Sequence, residues 1–295
     1  MAERKPPQFY RQRFLLALLY VFGKKLNKTD FQKYLFLYQQ EYASDNQTYF
    51  FLPYKYGPFS FQSYADLRRL EELEFIQNNE IIELKDNFNY FNYLKENDKI
   101  LILEFFNIYK NIKGRDLIKY VYTKYPYFAS KSLIIGDILG KDFNLTVNTY
   151  EKSFFTIGYE GKTIDQYLND IILNNINLVI DVRKNPISMK YGFSKKNLSN
   201  SLNQLNIEYL HIPELGIESN ERQNLRSFDD YQKLFERYEK GILAHQTTAI
   251  LKVAHLYNTK KRIALTCFEK DYTSCHRSRI GNIINKKFGI GVNNL

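Results

Sequence analysis

A change of hydrophobic period near residue 153 constrains this chain more than any other feature. Phe154-Phe-Thr-Ile157 is a short apolar run that stops at Gly158, Ile164 to Asn174 carries helical spacing, and Leu178-Val-Ile180 is again a short apolar run. Strand, helix and strand in so short a span predict a βαβ unit with parallel strands, and such units are right-handed. Tyr209 to Ile212 and Arg262 to Thr266 read as further strands, and Arg277 to Lys287 as a closing helix. Residues 151–295 are therefore expected to form an α/β domain with a mainly parallel sheet.

The first 150 residues follow a different rule. Residues 8–22 are apolar on most sides and stop at Gly23, which suits a buried helix. Asn27-Lys-Thr-Asp30 offers caps for a second helix from Phe31 to Tyr42, and Ser60 to Leu73 reads as a third. Phe75-Ile76 and Ile81-Ile-Glu-Leu84 then suit a short hairpin. Three helices and a small β-wing are the order of a winged helix, so the expectation is a mainly α, winged-helix-like domain over residues 1–150. Helical spacing resumes at Ile100 to Tyr109 and Asp116 to Tyr122, and the domain is expected to close in the Asn144 to Tyr150 stretch.

Two domains agree with 295 residues, each long enough to bury its own core. The longest apolar run, Phe14 to Phe22, is too short to span a bilayer, and the basic residues before it lead to no small-residue cleavage site. A cytoplasmic protein without a membrane partner is expected. A formal net charge of +10 favours an anionic partner, nucleic acid or nucleotide first, although abundant Lys, Asn, Ile and Tyr with no Trp also fits an AT-rich coding bias. No oligomeric state can be read, and no cofactor motif stands out. The two cysteines, Cys267 and Cys275, are expected to be thiols.

Open parallel sheets collect their functional groups at the carboxyl ends of the strands, and each polar cluster here falls at such an end. Gly158-Tyr159-Glu160-Gly161 suits either a tight turn or a backbone cradle for phosphate. Asp181 and Arg183 lie two residues apart, on one side of an extended chain, as an ion pair or as working groups. Lys190, Tyr191 and Phe193 follow in a cationic and aromatic loop that suits phosphate or a stacked base. Cys267 and Glu269 share one side of a strand end, and Cys275-His276-Arg277 opens a helix whose N-terminus favours an anion. There Cys275 is expected to ionise readily, His276 to serve as acid or base, and Arg277 to clamp an anion. Cys, Cys, His and Glu are all metal ligands, yet their spacing matches none of the common zinc patterns, so no metal is expected. His211 and Glu214 are secondary candidates, while His245 and His255 read as surface or packing residues.

Two resemblances follow. Thr156-Ile-Gly-Tyr159, Asp181-Val-Arg183 with Pro186 and Ser188, Phe193, Ile207-Glu-Tyr209, Pro213-Glu-Leu-Gly216, Cys267-Phe-Glu269 and Cys275-His-Arg277 resemble, in order, the motifs of the family called domain of unknown function 488. The resemblance spans about Phe155 to Phe288 and implies a compact α/β fold, with family members often beside genes for DNA modification or defence. Gly216-Ile217 stands where members commonly have two glycines, which implies a looser backbone approach there. Gly57-Pro58, within Tyr-Lys-Tyr-Gly-Pro, is similar to the signature of Panacea-type antitoxin-associated helical domains.

The leading expectation is an enzyme of nucleic acid bases or nucleotides, acting in DNA modification or phage defence. It would hydrolyse an N-glycosidic bond or carry out a related transfer. Arg183 and Arg277 hold anionic oxygens in this reading, with Gly158, Tyr159, Lys190, Tyr191 and His211 beside the substrate. Glu269 or Asp181 supplies the carboxylate, and Cys275 with His276 is the rival thiol machinery, which would make the protein a thiol-dependent transferase. Cys267 ranks as the more dispensable thiol. Two other classes compete: a nucleic-acid-binding or nucleotide-sensing module without turnover, and an antitoxin-like protein that binds a partner through its amino-terminal domain.

Overall fold

The computed structural model describes residues 5–44, 47–140, 150–222 and 228–295. The chain divides into two compact units, Met1–Thr146 and Val147–Leu295. The expected closing stretch of the first domain lies, up to residue 149, outside the described residues.

The amino-terminal unit is mainly helical. Its elements are α1 (Tyr10–Val21), β1 (Lys25–Asn27), α2 (Lys28–Glu41), β2 (Leu52–Tyr54), β3 (Gly57–Phe59), α3 (Phe61–Glu72), β4 (Ile76–Asn78), β5 (Ile81–Leu84), α4 (Glu96–Tyr109), α5 (Gly114–Lys124), α6 (Pro126–Ala129) and α7 (Ile135–Leu139). Ser60 caps α3 as its residue type suggests, accepting the Ser63 amide at 3.2 Å. The hairpin β4–β5 is present, and β1 joins it in an antiparallel sheet of order β1-β5-β4. Gly57-Pro58 does interrupt the helices, but within a second hairpin in which Pro53 faces Pro58 and Tyr54 faces Gly57. Gly57 adopts φ +89° beneath the Tyr122 ring and the Lys33 amine, where a side chain would collide with the ring. Lys33 is itself buried and donates to the Tyr56 carbonyl at 2.5 Å. Burial pushes its ammonium down to about 7, with Asp30 opposing. Phe14, Tyr34, Phe36, Tyr38 and Phe105 belong to the aromatic core that α1, α2 and α4 enclose.

The carboxy-terminal unit is α/β. It runs β6 (Ser153–Gly158), α8 (Ile164–Leu173), β7 (Leu178–Asp181), α9 (Lys195–Gln204), β8 (Glu208–His211), α10 (Phe228–Lys240), α11 (Thr247–Lys260), β9 (Arg262–Cys267), α12 (His276–Phe288) and β10 (Val292–Asn294). The five strands stand in the order β10-β6-β9-β7-β8 with every neighbouring pair parallel. Thr163 and Gln166 form a reciprocal capping box at the start of α8, which fixes where the chain leaves β6 and turns back.

Register brings the strand ends level. Gly158 faces Cys267 across β6 and β9, Asp181 faces Thr266 across β7 and β9, and Asp181 faces His211 across β7 and β8. Alternation then divides the side chains between the two faces. Thr266 accepts from Tyr167 of α8 at 2.9 Å, so Thr266 and its neighbour Asp181 face α8. Val182 and Cys267, one residue further along each chain, join the core built with Tyr238, Val253, Cys275 and Ile280 of α10, α11 and α12. Among the described residues no helix is long and apolar enough to cross a membrane.

Candidate functional site

The polar residues that the sequence suggests as one site form two clusters, back to back on the edge of the sheet. On the α8 face, Asp181 is fully buried and holds Arg183 through two oxygens, with Nε at 2.8 Å and Nη2 at 2.5 Å. Arg183 Nη1 donates to the Tyr159 hydroxyl at 2.7 Å and the Phe193 carbonyl at 2.9 Å. The Tyr209 hydroxyl donates to Asp181 at 2.7 Å, and burial followed by Asp181 drives that phenol far above its usual range. Tyr159 stacks on Phe193 with ring centres 4.2 Å apart. The donors of the guanidinium are engaged by protein oxygens at 6 % exposure. Asp181, expected as a catalytic carboxylate, serves as its buried counter-ion.

The flanking candidates serve the same cluster. His211 meets the Arg183 carbonyl through Nε2 at 2.8 Å and Lys195 Nζ through Nδ1 at 3.1 Å. Since a carbonyl only accepts, Nε2 carries the proton and Nδ1 is the acceptor. Lys190 donates to the Tyr159 carbonyl at 3.1 Å, and burial lowers its ammonium against the pull of Glu160. Tyr191 is 40 % exposed, and Glu214 is exposed as well.

The turn after β6 closes on the loop that follows β9. The amides of Tyr159 and Glu160 both donate to the Phe268 carbonyl, at 3.1 and 2.8 Å. Gly158 is required because a Cβ there would fall inside the Glu269 carbonyl oxygen. Gly216 likewise lies against the Lys184 backbone, where an added Cβ would come within 2.2 Å of the Lys184 nitrogen. Arg277, at 1 % exposure, donates to the carbonyls of Glu269 at 2.5 Å and Lys270 at 3.1 Å and so holds the loop.

On the opposite face the loop from β9 into α12 assembles a second cluster. Cys267 Sγ lies 3.1 Å from a Glu269 carboxylate oxygen and 3.5 Å from His276 Nδ1, while Cys275 Sγ lies 3.8 Å from the same nitrogen. One ligand atom from each of these four residues falls within 4.8 Å of every other. The spacing argument against a metal was an argument along the chain, whereas in space the four donors converge. Cys267, ranked as dispensable, sits at the centre of the group and is fully buried. Tyr238 packs edge-on against the His276 ring at 5.8 Å.

Cys275 is the N-cap of α12, yet its thiol is not acidified. Burial, then the neighbouring Cys267 and Glu269, pushes it well above the usual thiol range, and the opposing pull of Arg277 is weaker. The expectation of a readily ionised Cys275 therefore fails because water is excluded. Glu269 is the half-exposed member of the group. Together with His276, Ser274, Ile217, Tyr231, Leu234 and Phe235 it lines a cavity of about 140 Å³.

Neither the curated proteins nor the solved structures contain a match to this chain. The family model described as domain of unknown function DUF488 matches residues 163–284, from the cap of α8 to the body of α12. The segment from α8 into α12, which carries Asp181, Arg183, Cys267, Glu269, Cys275 and His276, is thus similar to the DUF488 family.

Proposed function

We propose that the carboxy-terminal unit is an enzyme of nucleic acid bases or nucleotides, and that Glu269 is its reacting carboxylate in hydrolysis of an N-glycosidic bond or a related transfer. The observation that carries this reading is the cavity: Glu269, His276 and Ser274 line it together with the aromatic residues Tyr231 and Phe235. A volume of about 140 Å³ is below the usual range for whole ligands, so it suits one ring or reacting group with the remainder of the substrate outside. A carboxylate facing a sugar at such a mouth stabilises developing positive charge on the ring or directs water to it. The net charge of +10 supports an anionic substrate, which the surface rather than Arg183 or Arg277 would attract.

The geometry favours the carboxylate over the thiol mechanism. Both sulfurs are buried and Cys275 resists ionisation, whereas Glu269 reaches the cavity. The test is base release by the full chain from a panel of modified nucleosides, nucleotides and oligonucleotides, read by chromatography. Wild-type protein should release free base, and Glu269→Gln should lower the rate by roughly 10²-fold or more. Stoichiometric ligand binding without product would instead favour the nucleotide-sensing module. The amino-terminal unit, with its three-stranded sheet and helices α1 to α3, we read as winged-helix-like and as the part that docks nucleic acid or a protein partner.

A further inference from the structure

The second cluster has the composition and shape of a metal site. Zinc binds thiolate sulfur at about 2.3 Å and imidazole nitrogen or carboxylate oxygen at about 2.0–2.2 Å, so a tetrahedral ion separates its ligands by about 3.3–3.8 Å. The separations here are 3.1 Å from Cys267 to Glu269, 3.5 Å from Cys267 to His276 and 3.8 Å from Cys275 to His276. Of these three the Glu269 contact must widen, the four donor atoms together lie within 4.8 Å of one another and so close by about an ångström at most around an ion, and Glu269 is the half-exposed member of the set.

The orientation of His276 is independent support. Its Nε2 lies 3.0 Å from the Val182 carbonyl, which has no proton to give, so Nε2 carries the ring hydrogen. Nδ1 then presents its lone pair between the two sulfurs. A backbone carbonyl on the far nitrogen is the arrangement by which metal-binding histidines are held in tautomer and direction.

Donor chemistry selects the ion. Two sulfurs, one imidazole and one carboxylate are unsuited to magnesium or calcium, which take oxygen, and match the mixed soft and borderline set of zinc. Binding replaces two thiol protons by one dication, leaving a net charge of −1 on the ion and its four ligands. The N-terminus of α12 and the Arg277 guanidinium lie beside that charge and oppose it. Three ligands are within 1 % of full burial, and the fourth faces the cavity.

We propose that Cys267, Cys275, His276 and Glu269 bind one zinc ion, with Glu269 as the ligand that water or substrate displaces from the cavity side. This assignment does not rest on the enzyme reading, since the ion can be detected whether or not the chain turns over a substrate.

The experiment uses the full chain purified under reductant. Metal analysis should find one zinc per chain, and cobalt added to chelator-stripped protein should give a thiolate-to-cobalt band in the near ultraviolet with intense visible bands of a tetrahedral ion. Equimolar zinc should abolish both. Glu269→Gln should keep the thiolate band, shift the visible bands and weaken affinity at least tenfold, with an unchanged circular dichroism spectrum. Cys267→Ser should lose most of the thiolate intensity. The wild-type spectrum decides the question even where a cysteine variant does not fold. If reduced wild-type protein, with both thiols titratable in denaturant, retains no zinc and gives no thiolate band, the four residues are a hydrogen-bonded thiol cluster and the proposal is overturned. Protein purified without reductant that has no titratable thiols and no zinc overturns it in favour of a Cys267 to Cys275 disulfide.

Discussion

Asp181 and Lys33 show how differently a buried charge behaves with and without a partner. Asp181→Asn removes the charge that compensates Arg183 at 6 % exposure, and breaking a buried pair of this kind costs about 3–5 kcal/mol. Urea unfolding should show that loss, while a surface control such as Glu72→Gln changes little. Among the described residues no carboxylate forms an ion pair with Lys33, and Asp30 acts on it only at longer range. Its folded value of about 7 lies below the unfolded value, so between pH 7 and 10 the unfolded chain binds more protons than the folded one. Unfolding free energy should therefore rise with pH across that window, by at most ~5 kcal/mol, and Lys33→Met should flatten the rise. A flat wild-type profile would place the Lys33 amine in a wetter setting. At this scale the sequence is legible for residue type and strand side, but not for purpose. The fork of Arg277 would serve a phosphate or two carbonyls equally well, and only the fold shows that the Glu269 and Lys270 carbonyls occupy it. Cys267 was undervalued for a related reason: its partners Cys275 and His276 come from the next helix, and alternation along β9 carries no information about them.

The elements that could be read in advance are those with a long period or a chemical marker. α1, α2 and α3 fall where the apolar spacing and the caps place them, as do β6, β7, β8 and β9. The missed strands β1, β2, β3 and β10 are three residues each, too short to express an alternation. They exist because a neighbouring strand supplies hydrogen bonds, as when β10 adds to the edge beside β6. Two predictions belong here. Thr163→Ala removes the reciprocal cap of α8 and should cost about 1 kcal/mol, measured by chemical denaturation. Gly158→Ala drives a methyl group into the Glu269 carbonyl and should cost about 1–3 kcal/mol. Because that carbonyl belongs to the cavity-lining residue, Gly158→Ala should also disturb the cobalt spectrum, which Thr163→Ala should leave alone.

For the whole molecule, the chain divides into two compact units between Thr146 and Val147, and the family match stays within the second unit. A fragment covering residues 151–295 should unfold in one cooperative step by calorimetry, since it carries its own sheet, its capped α8 and its own apolar core. Broad, non-cooperative melting would mean that the first unit is needed to complete it. What the sequence does not reveal at this scale is the separation of the polar residues by sheet face. Asp181 and Cys267 both end strands, and a linear text does not show that they look in opposite directions.

Val182 is where those two directions meet. Its neighbours send their side chains toward α8, while its own carbonyl grips the imidazole behind the sheet. A single residue thus separates the two clusters along the chain: the Asp181–Arg183 ion pair brackets Val182, whose carbonyl holds His276, so a substitution that shifts this peptide would reach both sides of the sheet at once.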